Sequence, residues 1–484
     1  MTFVSDLDPQ PLWKHFDEIL KIPRGSKNEE AMRRYVLGVA ERKGLGVKRD
    51  AKGNFVVSKP ASAGREEAQI TVLQSHLDMV NEKNADVTHD FERNPIAPRQ
   101  DGEWVRATGT TLGADNGIGV AAMLAVLEAD DLVHSPLELL FTVEEEIGLV
   151  GASALDGSIV TGRRLLNLDS EDAAVTIGCA GAGISSLALP LESASPPAGT
   201  SAFAVALTGL QGGHSGMEIH LPKGNALKLL ARALFAASLE RPLHVGTLSG
   251  GGKHNAIPRE ARAVVLARPE EAQAIREALE REAVAIRAEY PAEKDLSLTL
   301  QEEPAPERAW TEAAGRRALA LIHALPHGVL AMSQDIPGLV ETSTNVAAAA
   351  SKNGHLEILT SSRSSVDSAL RATRLRIRAA AELAGAKVEE SHGYPGWKPD
   401  PNSPLLATFR QVHERLFGEK PEVAAVHAGL ECGVIGEKCP GMQMISFGPR
   451  IEGAHSPDER VHVPSVARFW HLLKTLLEEL ASSS

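Results

Sequence analysis

The sequence has little with which to bind nucleic acid, cross a membrane or staple itself covalently. Its 50 Lys and Arg are outnumbered by 63 Asp and Glu, giving a formal net charge of -13, whereas a nucleic-acid surface needs a basic stripe. Cysteine is limited to Cys179, Cys432 and Cys439, with no CxxC spacing. That offers neither a disulfide framework nor a zinc finger, and a reducing compartment fits. No window approaches the roughly 18 continuous apolar residues of a spanning helix. The start, MTFVSDLDPQPLWKHFDEIL, carries acidic and polar residues where a secretory signal has a basic start and an apolar run. There is no Walker loop, no GxSxG elbow and no Rossmann glycine fingerprint, so phosphate binding, serine hydrolysis and dinucleotide chemistry have no motif support. The expectation is a cytoplasmic protein acting on a small molecule, with no nucleic acid and no membrane as partner.

What is there is a globular composition, 43% hydrophobic and 23% charged over 484 residues, a length that predicts two or three domains. The first part alternates strand-like and helix-like segments, the pattern of an α/β layer structure with a mixed, mostly parallel sheet flanked by helices. Candidate strands span 54–58, 70–75, 137–143 and 164–168, and a helix starts near Asn116. A Pro/Ser/Ala-rich stretch, LESASPPAGTSA (191–202), has linker composition. After it come two successive β-α-β-β-α orders, the second beginning with a strand over 296–300. A second Pro/Gly-dense segment, GYPGWKPDPNSP (393–404), precedes a helix, a strand over 442–447 and a terminal amphipathic helix. This order predicts a catalytic domain built from 1–190 and 396–484, interrupted by an α+β lid domain over 191–395.

Four strand-like runs end in polar residues of one chemical kind. ITVLQS leads into His76, Leu77 and Asp78; LELLFTV leads into Glu144, Glu145 and Glu146; the run at 164–168 leads into Asp169; and the run at 442–447 leads into GPRIEGAHSPDER with His455. A fifth piece, TLGADNGIGVAAML, sets Asp115 in a Gly-rich turn before a helix. In open α/β sheets, ligands sit outside the carboxyl ends of the strands. Three adjacent glutamates at such an end call for a cation. Histidines and carboxylates together suit zinc. Two imidazoles with three or four carboxylates exceed what one tetrahedral zinc needs, and two metals about 3.5–4 Å apart would use them all.

The motifs SHLDMV, GTTLGADNGIGVA, EEEIGLVGA, LNLDSED, GGHSG and SFGPRIEGAHSPDER together resemble the cytosolic non-specific dipeptidases, also called aminoacyl-histidine dipeptidases or peptidase D. These belong to the di-zinc exopeptidases that include carnosinases and aminoacylases. The resemblance runs from near residue 7 to the C-terminal helix. It implies a metallo-dipeptidase that hydrolyses unblocked dipeptides of broad sequence, including Xaa-His, by attack of a bridging hydroxide with Glu145 as general base. It assigns His76 and Asp169 to one Zn2+ and Glu146 and His455 to the other, with Asp115 bridging and Glu144 left over. It also implies a cis peptide between Asp115 and Asn116, and gives Asp78 the task of orienting the His76 imidazole or tuning the surroundings of Glu145. His214 in GGHSG is implied as the oxyanion donor. Asn255 in KHNAIP, Arg363 in TSSRSS, and Gly429 and Glu431 in HAGLECG are implied as substrate-binding positions, with Arg363 gripping a carboxylate. His427 is expected to pack rather than to bind metal. A homodimer through the lid domain follows from the resemblance, with a monomer as the alternative because the lid is duplicated. Mn2+ or Co2+ would suit the same ligands. An N-acyl amino acid deacylase or carboxypeptidase of the same superfamily, or a non-catalytic metal-binding protein, are the rival readings.

Overall fold

The computed structural model describes residues 2–391 and 393–482. The chain divides into two compact units, one formed by 1–179, 397–425 and 430–484, the other by 180–396 and 426–429. Within the described residues no helix is long and apolar enough to cross a membrane.

The first unit is built on an eight-stranded sheet in the order Gly46–Arg49, Phe55–Lys59, Leu137–Thr142, Thr71–His76, Arg164–Asn167, Gln443–Ser446, Val175–Cys179, Val423–Val426. Four adjacent strands at its middle are parallel: Thr71–His76 runs parallel to both Leu137–Thr142 and Arg164–Asn167, and Gln443–Ser446 runs parallel to Arg164–Asn167. The flanking strands Phe55–Lys59 and Val175–Cys179 are antiparallel. Central strands with both faces covered bury every residue, polar ones included, and Thr71–His76 and Leu137–Thr142 do so. The helix Ala114–Glu128 is apolar almost all round and buried along its length up to Leu127. Gly119 lets it lie close to the sheet, because a Cβ there would stand 2.7 Å from the Leu168 carbonyl.

The second unit has a nine-stranded antiparallel sheet made of two four-stranded copies of one motif and one further strand, Gly328–Met332, which pairs with Val340–Lys352. The first copy is Ser201–Thr208, helix Ala226–Glu240, His244–Gly251, Ala261–Ala267, helix Pro269–Glu289 and Ser297–Glu303. The second is Gly181–Pro190, helix Glu312–Ala324, Val340–Lys352, His355–Ser364, helix Asp367–Leu383 and Lys387–Glu390. Each is a β-α-β-β-α-β unit with its last strand beside its first. The first copy is inserted between the first strand and the first helix of the second. Strands His244–Gly251 and Val340–Lys352 join the two halves through Ser249 opposite Ala350.

The expected boundaries shift accordingly. The strand Gly181–Pro190 pairs with His355–Ser364, so the first unit ends at Cys179 and not at 190. The Pro/Ser/Ala-rich segment 191–202 is an internal connection of the second unit rather than a passage between units. The strand expected to open the second repeat belongs to the first: Ser297–Glu303 pairs with Ser201–Thr208 along its length. The segment 393–404 does contain a passage, between Gly396 and Trp397.

Candidate metal centre and substrate residues

The four strands that are mutually parallel in the first unit present their carboxyl ends on one side, and the polar residues that follow them converge there. His76 Nε2 lies 3.0 Å from Asp115 Oδ1 and 3.3 Å from Asp169 Oδ1. His455 Nε2 lies 3.1 Å from Asp115 Oδ2 and 3.0 Å from Glu146 Oε2. The two oxygens of Asp115 thus face two different imidazoles. Two ligand atoms each about 2.0–2.1 Å from one tetrahedral ion stand about 3.3 Å apart, so each imidazole and its carboxylates have the spacing of a shared ion. His76, Asp115 and Glu146 form a group able to hold a metal.

Two orphaned buried atoms point the same way, since Glu146 Oε1 and His76 Nδ1 have no hydrogen-bond partner, although His76 Nδ1 comes within 3.5 Å of Asp78 Oδ1. The carboxylates also draw positive charge. Asp115 and Glu146 hold the His455 imidazole up to about 11. Burial opposes protonation of His76, yet Asp169, Asp115 and Asp78 push its pKa well above the usual range. Burial raises the Asp115 carboxyl, but the two imidazoles outweigh it and hold it far below its ordinary value. Asp169, buried and only partly compensated by His76, is pushed up to about 6.

The supporting shell is equally specific. Asp78 Oδ1 accepts the Glu145 amide at 3.0 Å, and Oδ2 accepts the Glu146 amide at 3.2 Å and the Ser26 hydroxyl at 2.7 Å. It therefore fixes the glutamate loop as well as facing His76. Burial works against its charge, but His76, Ser26 and the Glu145 amide hold it down to about 2. The Asn116 amide donates to Asp169 Oδ1 and, at 2.9 Å, to the Leu168 carbonyl. The Asp115–Asn116 peptide is cis. His455 sits at a left-handed φ of 62°.

The three glutamates have three environments. Glu144 pairs with Lys52 Nζ at 2.7 Å. Glu146 faces His455. The Glu145 carboxylate, half-buried, has no hydrogen bond or ion pair among the described residues, and burial, opposed by His76 and reinforced by Asp169, Glu431 and Glu146, raises its pKa well above the usual carboxylate range.

Glu431, expected as a substrate-binding position, is fully buried. It is 0% exposed at the start of helix Glu431–Lys438, where Oε2 accepts from Thr142 Oγ1 at 2.8 Å and Gln74 Nε2 at 2.5 Å. Burial and Asp169 push it up to about 7 against the opposing charge of His76. It lies against two central strands, beside Gln74 inside Thr71–His76 and Thr142 at the end of Leu137–Thr142.

The other expected substrate residues gather in the second unit. His214 lies in the short strand Gly213–His214, paired with Ala256–Ile257, and the Asn255 carbonyl accepts the Ser215 amide at 2.8 Å. A Cβ on Gly216 would meet His214 Cε1 at 3.1 Å and Arg363 Cζ at 3.3 Å. Arg363 is 6% exposed, donates from Nη1 to the Tyr394 hydroxyl at 3.3 Å, and leaves Nε without a partner. Gly429 abuts the same tyrosine: a Cβ there would stand 2.7 Å from the ring. His214 Nδ1 accepts the amides of Gly216 and Met217, at 3.3 and 3.0 Å. Burial, with Arg363 adding, lowers its pKa, so the neutral ring carries its proton on Nε2. His427 packs, with Nε2 2.7 Å from Ser343 Oγ.

Sequence reasoning missed Arg24, Lys52, Asn116, Gln74, Thr142 and Glu459. Arg24 and Glu459 bind backbone atoms, and a charged residue in a polar loop carries no signal of that. Asn116 stood beside a named ligand and was legible as a support by adjacency alone.

Comparison with known proteins bears on this geometry. Residues 72–479 match the model of peptidase family M20/M25/M40. The chain is 43% identical over 482 residues to the cytosol non-specific dipeptidase of Escherichia coli (strain K12), covering 99% of each. The crystal structure of aminoacylhistidine dipeptidase from Vibrio alginolyticus superposes with a TM-score of 0.92 at 42% identity, covering 99% of this chain and 98% of that one. The aminopeptidase PepT from Bacillus cereus ATCC 10987 shares the fold at a TM-score of 0.57 and 17% identity, covering 98% of this chain and 99% of that one.

Proposed function

Since the chain belongs to peptidase family M20/M25/M40, we propose that it is a metal-dependent dipeptidase hydrolysing unblocked dipeptides of broad sequence, Xaa-His included. The observation that carries the reading is Asp115, whose two oxygens each face a different imidazole while the Glu145 carboxylate has no hydrogen bond or ion pair among the described residues. The donor set fits two ions, zinc by its mix of imidazole and carboxylate: His76 and Asp169 would hold one, Glu146 and His455 the other, and Asp115 both. Bound metal would supply Lewis acidity, lowering the pKa of water and polarising the scissile carbonyl.

The remaining steps belong to side chains. Glu145 takes the proton of the attacking water and returns it to the leaving amine, a task suited to a carboxylate whose pKa burial raises well above its ordinary range. His214, neutral and protonated on Nε2, is a donor suited to the oxyanion. Arg363 is a buried guanidinium without an ion pair among the described residues, suited to bidentate pairing with the substrate's terminal carboxylate. Asn255, whose carbonyl accepts the Ser215 amide next to His214, and Gly429, which abuts the tyrosine bonded to Arg363, are further substrate-binding positions. We propose further that the protein is cytoplasmic and a homodimer through the second unit.

The test is hydrolysis of Ala-His, β-Ala-His, Leu-Gly, a tripeptide and an N-acetyl amino acid, before and after chelation and zinc repletion. Metal-dependent cleavage of the dipeptides alone is expected. Turnover of only the acylated compound would move the chain to the deacylases of the superfamily, and no turnover would leave the centre structural.

A further inference from the structure

Glu459 follows His455 by four residues in the sequence GAHSPDER and does not face the imidazoles. It is 2% exposed. Oε2 accepts the amides of Leu112 and Gly113 at 2.7 and 2.9 Å, and Oε1 accepts those of Ala114 and Asp115 at 2.7 and 3.2 Å. Four successive amides of one turn converge on a single carboxylate. Such a nest at a helix start is an anion site, and here the chain fills it with its own side chain. Gly113 makes the turn possible, with a left-handed φ of 72° and no room for a Cβ, which would stand 2.7 Å from Met79 Sδ.

The other end of the link is also fixed. Glu459 donates its amide to the Ser456 carbonyl at 3.0 Å, and the next residues, Arg460–His462, pair with Trp104, Val105 and Arg106 of a separate sheet. Arg24 completes the set from the opposite side. It is 3% exposed and donates to the carbonyls of Leu77 at 2.9 Å, Asp78 at 2.6 Å, and Gly113. One buried arginine thus ties the loop after His76 to the Asp115 turn, and one buried glutamate ties that turn to the loop of His455.

We propose that Glu459 is a positioning residue that sets the spacing of the two imidazoles about Asp115, and so preorganises both metal positions without touching either. The inference rests on the metal-centre reading above. Glutamine at this position would turn an NH2 donor against amides that are themselves donors, losing acceptors where all four are needed.

The experiment is metal affinity of purified E459Q, measured by competition with a chromophoric chelator, together with hydrogen exchange at the amides of 112–115 in the metal-free protein. We expect affinity for both ions to fall about ten- to a hundredfold, the usual cost of losing a residue that orients ligands. Those four amides should exchange faster, and excess metal should restore kcat, which a merely damaged fold would not allow. E459D, which keeps the charge but shortens the reach, is read the same way and serves where E459Q does not fold. Wild-type metal affinity in a folded variant of either kind overturns the proposal. Failure of the wild-type protein itself to bind metal would instead overturn the metal-centre reading.

Discussion

The two units treat buried charge in opposite ways. In the first, each ligand is held by neighbours: Asp115 between two imidazoles, Asp169 by Asn116, the Glu145 and Glu146 amides by Asp78. In the second, Arg363 is buried with a tyrosine hydroxyl and no carboxylate among the described residues. A buried charge without a partner is costly, so each arrangement points to its missing counterpart. The first has a surplus of carboxylate and suits a resident cation; the second has an unmet cation and suits an anion that comes and goes with each turnover. The lesson of the difference is that the two units carry opposite excesses of buried charge, one of which the proposed function uses for metal and the other for substrate.

The largest expected effect isolates Glu145, a carboxylate of the first unit with no hydrogen bond or ion pair among the described residues. Glu145→Ala should lower kcat by about 10²–10⁴-fold with metal content unchanged, read by steady-state kinetics beside elemental analysis. Unchanged turnover would remove the proposed base.

Arg363→Ala sharpens the contrast from the other side. The loss of a charge-assisted pair is expected to lower kcat/KM for Ala-His by roughly ten- to a hundredfold, chiefly through KM. Hydrolysis of the C-terminal amide of the same dipeptide should hardly change, and an equal loss on both substrates would deny Arg363 its carboxylate.

Asp78→Asn tests whether the web in the first unit is built for the ions. About tenfold weaker metal binding is expected, measured by chelator competition, because the amide cannot accept the Glu145 and Glu146 N–H groups from both of its ends.

The smallest effect concerns pH. Burial and Arg363 push His427 down to about 3, whereas an unfolded histidine titrates near 6.5. Between those values the unfolded chain binds the extra proton, so this residue's contribution to stability is present above about pH 6.5 and is lost as pH falls towards 3. Thermal unfolding followed from pH 7 to 4 should flatten in His427→Gln.

How far the sequence carried follows from these particulars. His76, Asp169 and the glutamates were legible because each follows a buried, strand-like run, and the parallel centre of the sheet then brings their ends together. Asp115 was legible from its Gly-rich turn and the motif around it. The duplicated motif was legible as element order but was divided before Ser297–Glu303 instead of after it, and Gly181–Pro190 was left out of it, because the Pro/Ser/Ala-rich segment 191–202 has the composition of a linker between domains while joining two strands of one sheet. Glu431, expected as a substrate-binding position, is buried with one oxygen held by Thr142 and Gln74 and the other without a hydrogen-bond partner. Glu459 and Arg24 left no trace, since what they bind is backbone, and backbone donors and acceptors are the same in every sequence.

The central claim, that the first unit is shaped by two cations sharing Asp115, is tested most directly by counting metal in protein dialysed against trace zinc. The account predicts two ions per chain in the wild type and a loss of both in Asp115→Ala. A single ion that survives the loss of Asp115 would contradict it.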